Sequence, residues 1–226
     1  MWHRRIALAL AILAVVLLAA SGLGVRAGLW PFRIGFGMFA GAMIAGLGAV
    51  GVASVALAVP RLRRPRSTLI VALLVGAASA AVPLDHLRRV KTLPYINDIT
   101  TDTQRPPQFS QPKPYEAHFA ELQGIGYPNL RGLELAVPPV QAFARARDAL
   151  QAMGLEILVA DERQGTIEAV ATTQWFGFKD DVAVRVSPAG AGSRMDVRSK
   201  SRIGRSDLGT NAKRIQELLD RVAVAR

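Results

Sequence analysis

The sequence predicts an α+β protein: three transmembrane helices followed by a two-layer domain with an antiparallel sheet and two helices. Three observations point there. Stretches 6–25, 34–60 and 67–84 hold no charged residue. Residues 1–91 carry eleven Lys and Arg against one acid, Asp85, while 92–226 carry seventeen basic against sixteen acidic residues. Nearly all of the net +11 therefore belongs to the apolar part, where it reads as membrane topology and not as nucleic-acid binding. From residue 132 onward, apolar residues recur with periods of two and 3.6 in the order strand, helix, four strands, helix.

The membrane domain, 1–91, is assigned helices at about 6–25, 36–59 and 67–84. At about 1.5 Å rise per residue, roughly 20 apolar residues cross the hydrocarbon core, and all three stretches are long enough. Lys and Arg resist translocation, so short basic flanks mark the cytoplasmic side. Arg4 and Arg5 precede the first span, and Arg61, Arg63, Arg64 and Arg66 fill the second loop, against Arg26 and Arg33 in the first. The N-terminus and second loop are then cytoplasmic and the C-terminal half lies outside; Arg88, Arg89 and Lys91 act against this orientation. The first span reads as an uncleaved anchor because its apolar run continues past Ala19 and Ser21, although those small residues also suit signal-peptide cleavage. In the second span Gly37, Gly41, Ala45, Ala49 and Ala53 repeat every fourth position, either a helix-packing ladder or the chance product of an Ala- and Gly-rich helix. No span holds an ionisable residue, so nothing marks a proton or ion path.

Residues 92–131 form a proline-rich extended segment. Pro94, Pro106, Pro107, Pro112, Pro114 and Pro128 each remove a donor and fix φ, so the segment is expected to be neither helix nor central strand. Tyr95, Phe109, Tyr115, Phe119 and Tyr127 are too many aromatics for a solvated tether, and the segment is expected to lie along the domain surface.

The α+β extracytoplasmic domain follows at 132–226. A short strand at 133–137 leads to Pro138 and Pro139, which open a helix whose Val140, Phe143, Ala146, Leu150 and Met153 share a face until Gly154. Alternating strands follow at 155–159, 166–174, 181–186 and 194–203. A last helix starts between Ser206 and Thr210 and buries Ala212, Ile215, Leu218, Leu219 and Val222. Both helices belong on one sheet face. In the last hairpin Val182, Val184 and Val186 must share a face with Met195 and Val197, which requires paired residue numbers with an odd sum. A sum of 381 sets Arg185 beside Asp196 and Asp181 beside Lys200, whereas 379 or 383 puts Arg185 opposite Arg194 or Arg198. Opposite charges across a pair contribute up to about 1 kcal/mol and like charges cost, so 381 is the expected register.

Cysteine is absent and the three histidines, His3, His86 and His118, all precede the folded domain. Disulfides, thiolate metal sites and a Cys nucleophile are thereby excluded, no serine has an obvious histidine base for a Ser-His-Asp site, and no metal site or cofactor is expected. Glu168, Asp180 and Asp181 could act as acid and base or bind a hard cation, but a charged sheet face or a turn uses such residues more often. Asp98 and Asp102, beside Thr100, Thr101 and Thr103, read as turn residues. Arg185, Arg198, Lys200, Arg202, Asn211 and Arg214 form a candidate anion or lipid-headgroup site. The competing reading is a salt-bridge lattice with Asp181, Asp196 and Asp207, which the balanced charge favours. Trp175, Phe176 and Phe178 crowd a bend at Gly177, either plugging the core or forming an apolar tip that contacts a bilayer or an apolar ligand.

Several segments together carry a resemblance: Asn97-Asp98-Ile99-Thr100-Thr101-Asp102 with Pro106-Pro107, Ile167-Glu168-Ala169, Phe176-Gly177-Phe178-Lys179-Asp180-Asp181, and the run from Asp196 through Gly204 followed by Ser206-Asp207-Leu208-Gly209 and Asn211-Ala212-Lys213-Arg214-Ile215. From about residue 97 to 222 the chain resembles the bacterial family called domain of unknown function 1499, which implies an envelope location and supplies no catalytic residue or cofactor. The expectation is a multi-pass protein of the bacterial inner membrane with a periplasmic domain, acting as a non-enzymatic binding or scaffolding module. Its expected partners are membrane lipids and an envelope protein, or a second copy through the second span, and no nucleic acid. The alternative is a carboxylate-dependent hydrolase acting on an envelope substrate.

Overall fold

The computed structural model describes residues 2–62 and 64–224, so Arg63, one of the second-loop cations, lies outside the described residues. It divides into two units: Met1–Lys91 with Gln174–Gly177, and Thr92–Thr173 with Phe178–Arg226.

In the first unit, α1 (Trp2–Arg26), α2 (Phe32–Ala58) and α3 (Arg66–Thr92) are each long and apolar enough to cross a membrane. They outrun the uncharged stretches because arginine is a good helix former whose long stem lets the charge reach the interface. Small side chains let the backbones approach: Ala7, Ala11, Ala49, Ala53, Ala56, Leu69 and Ala72 form one buried cluster. Where α2 crosses α3, a Cβ on Gly76 would stand 2.7 Å from the Gly46 carbonyl and 2.8 Å from the Ala49 Cβ. Glycine is required there. Of the small-residue ladder, Ala45, Ala49 and Ala53 are buried within the unit, Gly41 is half-buried near Leu17, and Gly37 is exposed.

The second unit holds an antiparallel six-stranded sheet of β1 (Asp98–Thr100), β2 (Leu133–Leu135), β3 (Glu156–Asp161), β4 (Thr166–Thr172), β5 (Lys179–Ala189) and β6 (Gly192–Ser201). The order is β1-β6-β5-β4-β3, and β2 also pairs with β6, beside Ser193–Met195, while β1 pairs beside Arg198–Lys200. The hairpin register is the one charge pairing required: Asp181 faces Lys200, Val184 faces Val197 and Arg185 faces Asp196. Helices α5 (Pro139–Ala152) and α6 (Thr210–Val224) cover one sheet face. Phe143, Ala146 and Leu150 of α5 and Ile215, Leu218 and Val222 of α6 pack with Ile167, Val182, Val184, Met195 and Val197. Each such large apolar side chain contributes about 1.5–3 kcal/mol on burial. Pro139 opens α5 with its preset φ, and Gly154 at φ 74° ends it.

Residues 92–131 correct one expectation, since the extended segment contains a helix, α4 (Ala117–Gly126), as well as β1. The helix occupies the proline-free window between Pro114 and Pro128, and buries Phe119 and Gln123, four apart on one face. Strand β1 sits at the sheet edge and is buried throughout.

Candidate functional site

Alternation along β5 and β6 sends Asp181 and Arg185, and Arg194, Asp196, Arg198 and Lys200, to the sheet face opposite α5 and α6. Such a row of charge cannot be buried unpaired. At its centre Arg198 and Asp98 are both fully buried, and the guanidinium Nε and Nη2 donate to the two Asp98 carboxylate oxygens at 2.9 and 2.8 Å. Lys200 Nζ donates to the same carboxylate at 2.8 Å. Arg185 Nη2 reaches Asp102 at 2.8 Å and Asp196 at 3.0 Å; Arg194 also donates to Asp196 at 3.1 Å. Arg202 donates to Asp181 at 2.7 Å, and Lys113 donates to the other oxygen of that carboxylate.

The residues between β1 and α4 form a strap over this face, gripped by side chains and not by a strand ladder. Arg185 Nη1 donates to the Arg105 carbonyl at 2.7 Å, Arg198 Nη2 to the Lys113 carbonyl at 2.8 Å, and the Ser110 amide to Glu168 at 2.6 Å. Phe109, which is buried, places its ring 5.1 Å from the Arg198 guanidinium, and Tyr115 lies 5.5 Å away, both cation–π contacts. Burial, reinforced by the Asp98 charge, pushes the Tyr115 hydroxyl up to about 12.

The candidate anion-site residues divide between the two faces. Arg185, Arg198 and Lys200 lie under or beside the strap, with Arg202 joining them through Asp181. Asn211 and Arg214 belong to α6, on the other side. There Arg214 donates to Asp180 at 2.7 Å, to Ser199 at 2.9 Å and to Asn211 at 2.6 Å, while Asn211 donates to Ser201 at 3.1 Å. Asp207 accepts the amides of Gly209 at 3.0 Å and Asn211 at 2.8 Å at the start of α6, in a turn where Leu208 takes φ 52°.

The three candidate acids are likewise engaged. Glu168 is held by Ser110, Asp180 by Arg214, and Asp181 by Lys113 and Arg202. Burial alone would raise Asp181, but the hydrogen bonds and charges of Arg202 and Lys113 outweigh it and hold the carboxyl below its usual value. Asp102 is lowered in the same way: burial opposes, and hydrogen bonds from the Arg105 amide and Arg185 prevail. Asp207 goes the other way, raised by burial and then by the nearby Asp180 charge.

Of the aromatic bend, Trp175 and Phe176 group with the first unit. The Phe176 ring stacks on Phe36 at 5.2 Å and meets Phe39 edge-on at 6.0 Å, and the Gly22 Cα leaves room for the Trp175 indole. Phe178 opens the other side of the bend, where its amide donates to Thr173 Oγ1 at 2.8 Å.

Asp98, Asp102, Lys113 and Gln123 are the residues that sequence reasoning missed. Asp98 is no turn residue but the buried counterion of Arg198; Asp102 does terminate a turn, accepting the Gln104 and Arg105 amides, and also serves Arg185. Gln123 copies a strand partner, accepting the Thr100 amide at 2.9 Å and donating to its carbonyl at 2.6 Å. A signal was present: along β5, β6 and the residue after it, Arg185, Arg194, Arg198, Lys200 and Arg202 outnumber Asp181 and Asp196 on that face, so counterions had to come from another segment.

A family model described as "Protein of unknown function (DUF1499)" matches residues 98–222, more than half of the chain. No curated protein matches it. The matched region begins at Asp98, the carboxylate on which the buried lattice centres.

Proposed function

The chain belongs to the DUF1499 family, and from that premise we propose a membrane-anchored envelope protein whose folded domain binds or scaffolds and does not catalyse. In this reading α1, α2 and α3 hold it in a bacterial inner membrane, and the domain stands on the periplasmic side. The excess of arginine at the N-terminus and the α2–α3 connection supports that orientation.

The observation that carries the non-catalytic reading is the closed lattice on the polar sheet face. A general acid or base needs a carboxyl poised near working pH and free to meet a substrate proton. Here Asp181 is clamped by two cations and held below its usual value, Asp180 is clamped by Arg214, and Glu168 secures the strap. Rigidity of this kind suits a surface presented to a partner.

The test is purification of the intact chain from bacterial membranes in mild detergent, followed by native mass spectrometry. A lipid or envelope protein retained at fixed stoichiometry is the expected result. Repeated recovery of the bare chain overturns the binding reading. A reporter enzyme fused behind residue 226 and active only in the cytoplasm overturns the periplasmic placement.

A further inference from the structure

One end of the three-helix unit gathers cations without a single acid. Arg4 and Arg5 lie in the first turn of α1; Arg61 and Arg64 lie in the α2–α3 connection and Arg66 opens α3. Two features bring these distant segments together. The His3 imidazole Nε2 is 3.1 Å from the Leu62 carbonyl, tying the start of α1 to the connection. Below them Ala7 and Ala11 of α1 pack in one cluster with Ala53 and Ala56 of α2 and Leu69 and Ala72 of α3, with Leu62 against it.

The first acid in the chain is Asp85, near the far end of α3, so among the described residues of this unit no carboxylate lies beside the five guanidinium groups. At the far end the balance differs, because Asp85 accepts from Arg89 at 2.8 Å and the Gln174 carbonyl accepts from Arg26. Arg5, Arg61, Arg64 and Arg66 are exposed, and Trp2, Ile6 and Ile70 beside them are exposed too, Trp2 at 72%.

We propose that this end of the helix unit binds the headgroup of an anionic phospholipid. Cations at the ends of spanning helices sit at the depth of lipid phosphates, and Trp2 suits the same interfacial layer. The side-chain type also suits phosphate recognition: the five cations at this end are all arginine, whose planar fork matches phosphate oxygens in pairs. The exposed apolar side chains next to the guanidinium groups offer contact for the acyl chains. The proposal requires that the helices span a bilayer but not which side this end faces, so a reversed topology would sink the periplasmic reading and leave the lipid site standing.

The test titrates the intact, delipidated chain in neutral detergent with phosphatidylglycerol or phosphatidylethanolamine and follows bound lipid by native mass spectrometry. Phosphatidylglycerol is expected to bind more tightly. Each arginine replaced is expected to weaken it about fivefold, so Arg4→Gln with Arg5→Gln costs about 25-fold and Arg61→Gln, Arg64→Gln and Arg66→Gln together about 100-fold. Arg88→Gln with Arg89→Gln, at the far end, should leave the affinity unchanged. Lysine at positions 4 and 5 keeps the charge and the helix start, and should recover part of the affinity but not all. Equal affinity for the two lipids, equal loss from variants at either end, or full affinity in the glutamine variants would each overturn the proposal.

Discussion

Breaking the Asp98–Arg198 pair should unlock the sheet edge, and the two ways of breaking it should differ. Both side chains are fully buried, so removing one partner leaves a charge in a medium that cannot solvate it, at a cost of about 3–5 kcal/mol. Arg198→Met leaves Asp98 with Lys200, 2.8 Å away and partly open to solvent, which places the loss near the lower figure. Asp98→Asn strands both Arg198 and Lys200 and belongs near the upper one. Hydrogen exchange of the intact chain in detergent, read on β6 peptides, reports this as faster opening: about 150-fold for Arg198→Met and about thirtyfold more for Asp98→Asn. The double variant should cost about 2 kcal/mol less than the two singles added, because each single removes the same contact. A change of under about fivefold in Asp98→Asn, or strict additivity, would refute the claim that this pair clamps β1 to β6.

Asp207 should make stability fall with rising pH. Its folded value is raised above the usual aspartate 3.8, so its contribution is fullest below that value and is lost as pH climbs through the folded one. Relative to the parent, Asp207→Asn should therefore gain stability as pH rises above 3.8 and level off once the folded value is passed, and a pH-independent difference in melting temperature would contradict this. Gly76→Leu should destabilise the helix unit by about 1–3 kcal/mol, because its Cβ meets the α2 backbone, while Gly37→Leu, with nothing within 4 Å, should leave the detergent melt unchanged. Loss of a detergent complex in Gly37→Leu alone would instead reveal association through that face. Glu168→Ala should speed exchange locally at 108–112, by about tenfold at most because Ser110 is exposed, without altering β5 or β6; a global effect would show that the strap is no separate element.

Local chemistry made most of the fold legible. The Pro138-Pro139 pair, Gly154 and the valine alternation of β5 each act within a few residues, and the hairpin register followed from Arg185 needing Asp196 across it. What escaped was decided over long separations. Asp98 looked like a turn residue because its partner Arg198 is 100 residues away, and only the surplus of cations on β6 hinted that an acid was missing. Helix α4 was hidden because the prolines around it dominate the composition, although none lies between Pro114 and Pro128. The aromatic bend was ambiguous for a similar reason: Trp175 and Phe176 have no apolar periodicity of their own, and their neighbours are Gly22, Phe36 and Phe39, far away in sequence.

Arginine serves two separate physical ends in this chain. In the folded domain Arg185, Arg194, Arg198, Lys200 and Arg202 of the polar sheet face are each spent on an internal carboxylate or carbonyl, and the central pair is fully buried. Salt cannot reach such a pair, since ionic screening over about 8 Å at physiological strength acts on charges that water surrounds. The arginines at the His3 end of the helix unit are gathered by a histidine contact and a seam of alanines, with Arg5, Arg61, Arg64 and Arg66 exposed, and the first acid in the sequence is Asp85. Their charge is open to groups outside the chain, where it is subject to screening. The near-neutral domain turns its charge inward, while the helix unit carries nearly all of the excess, which is why one net figure of +11 describes neither.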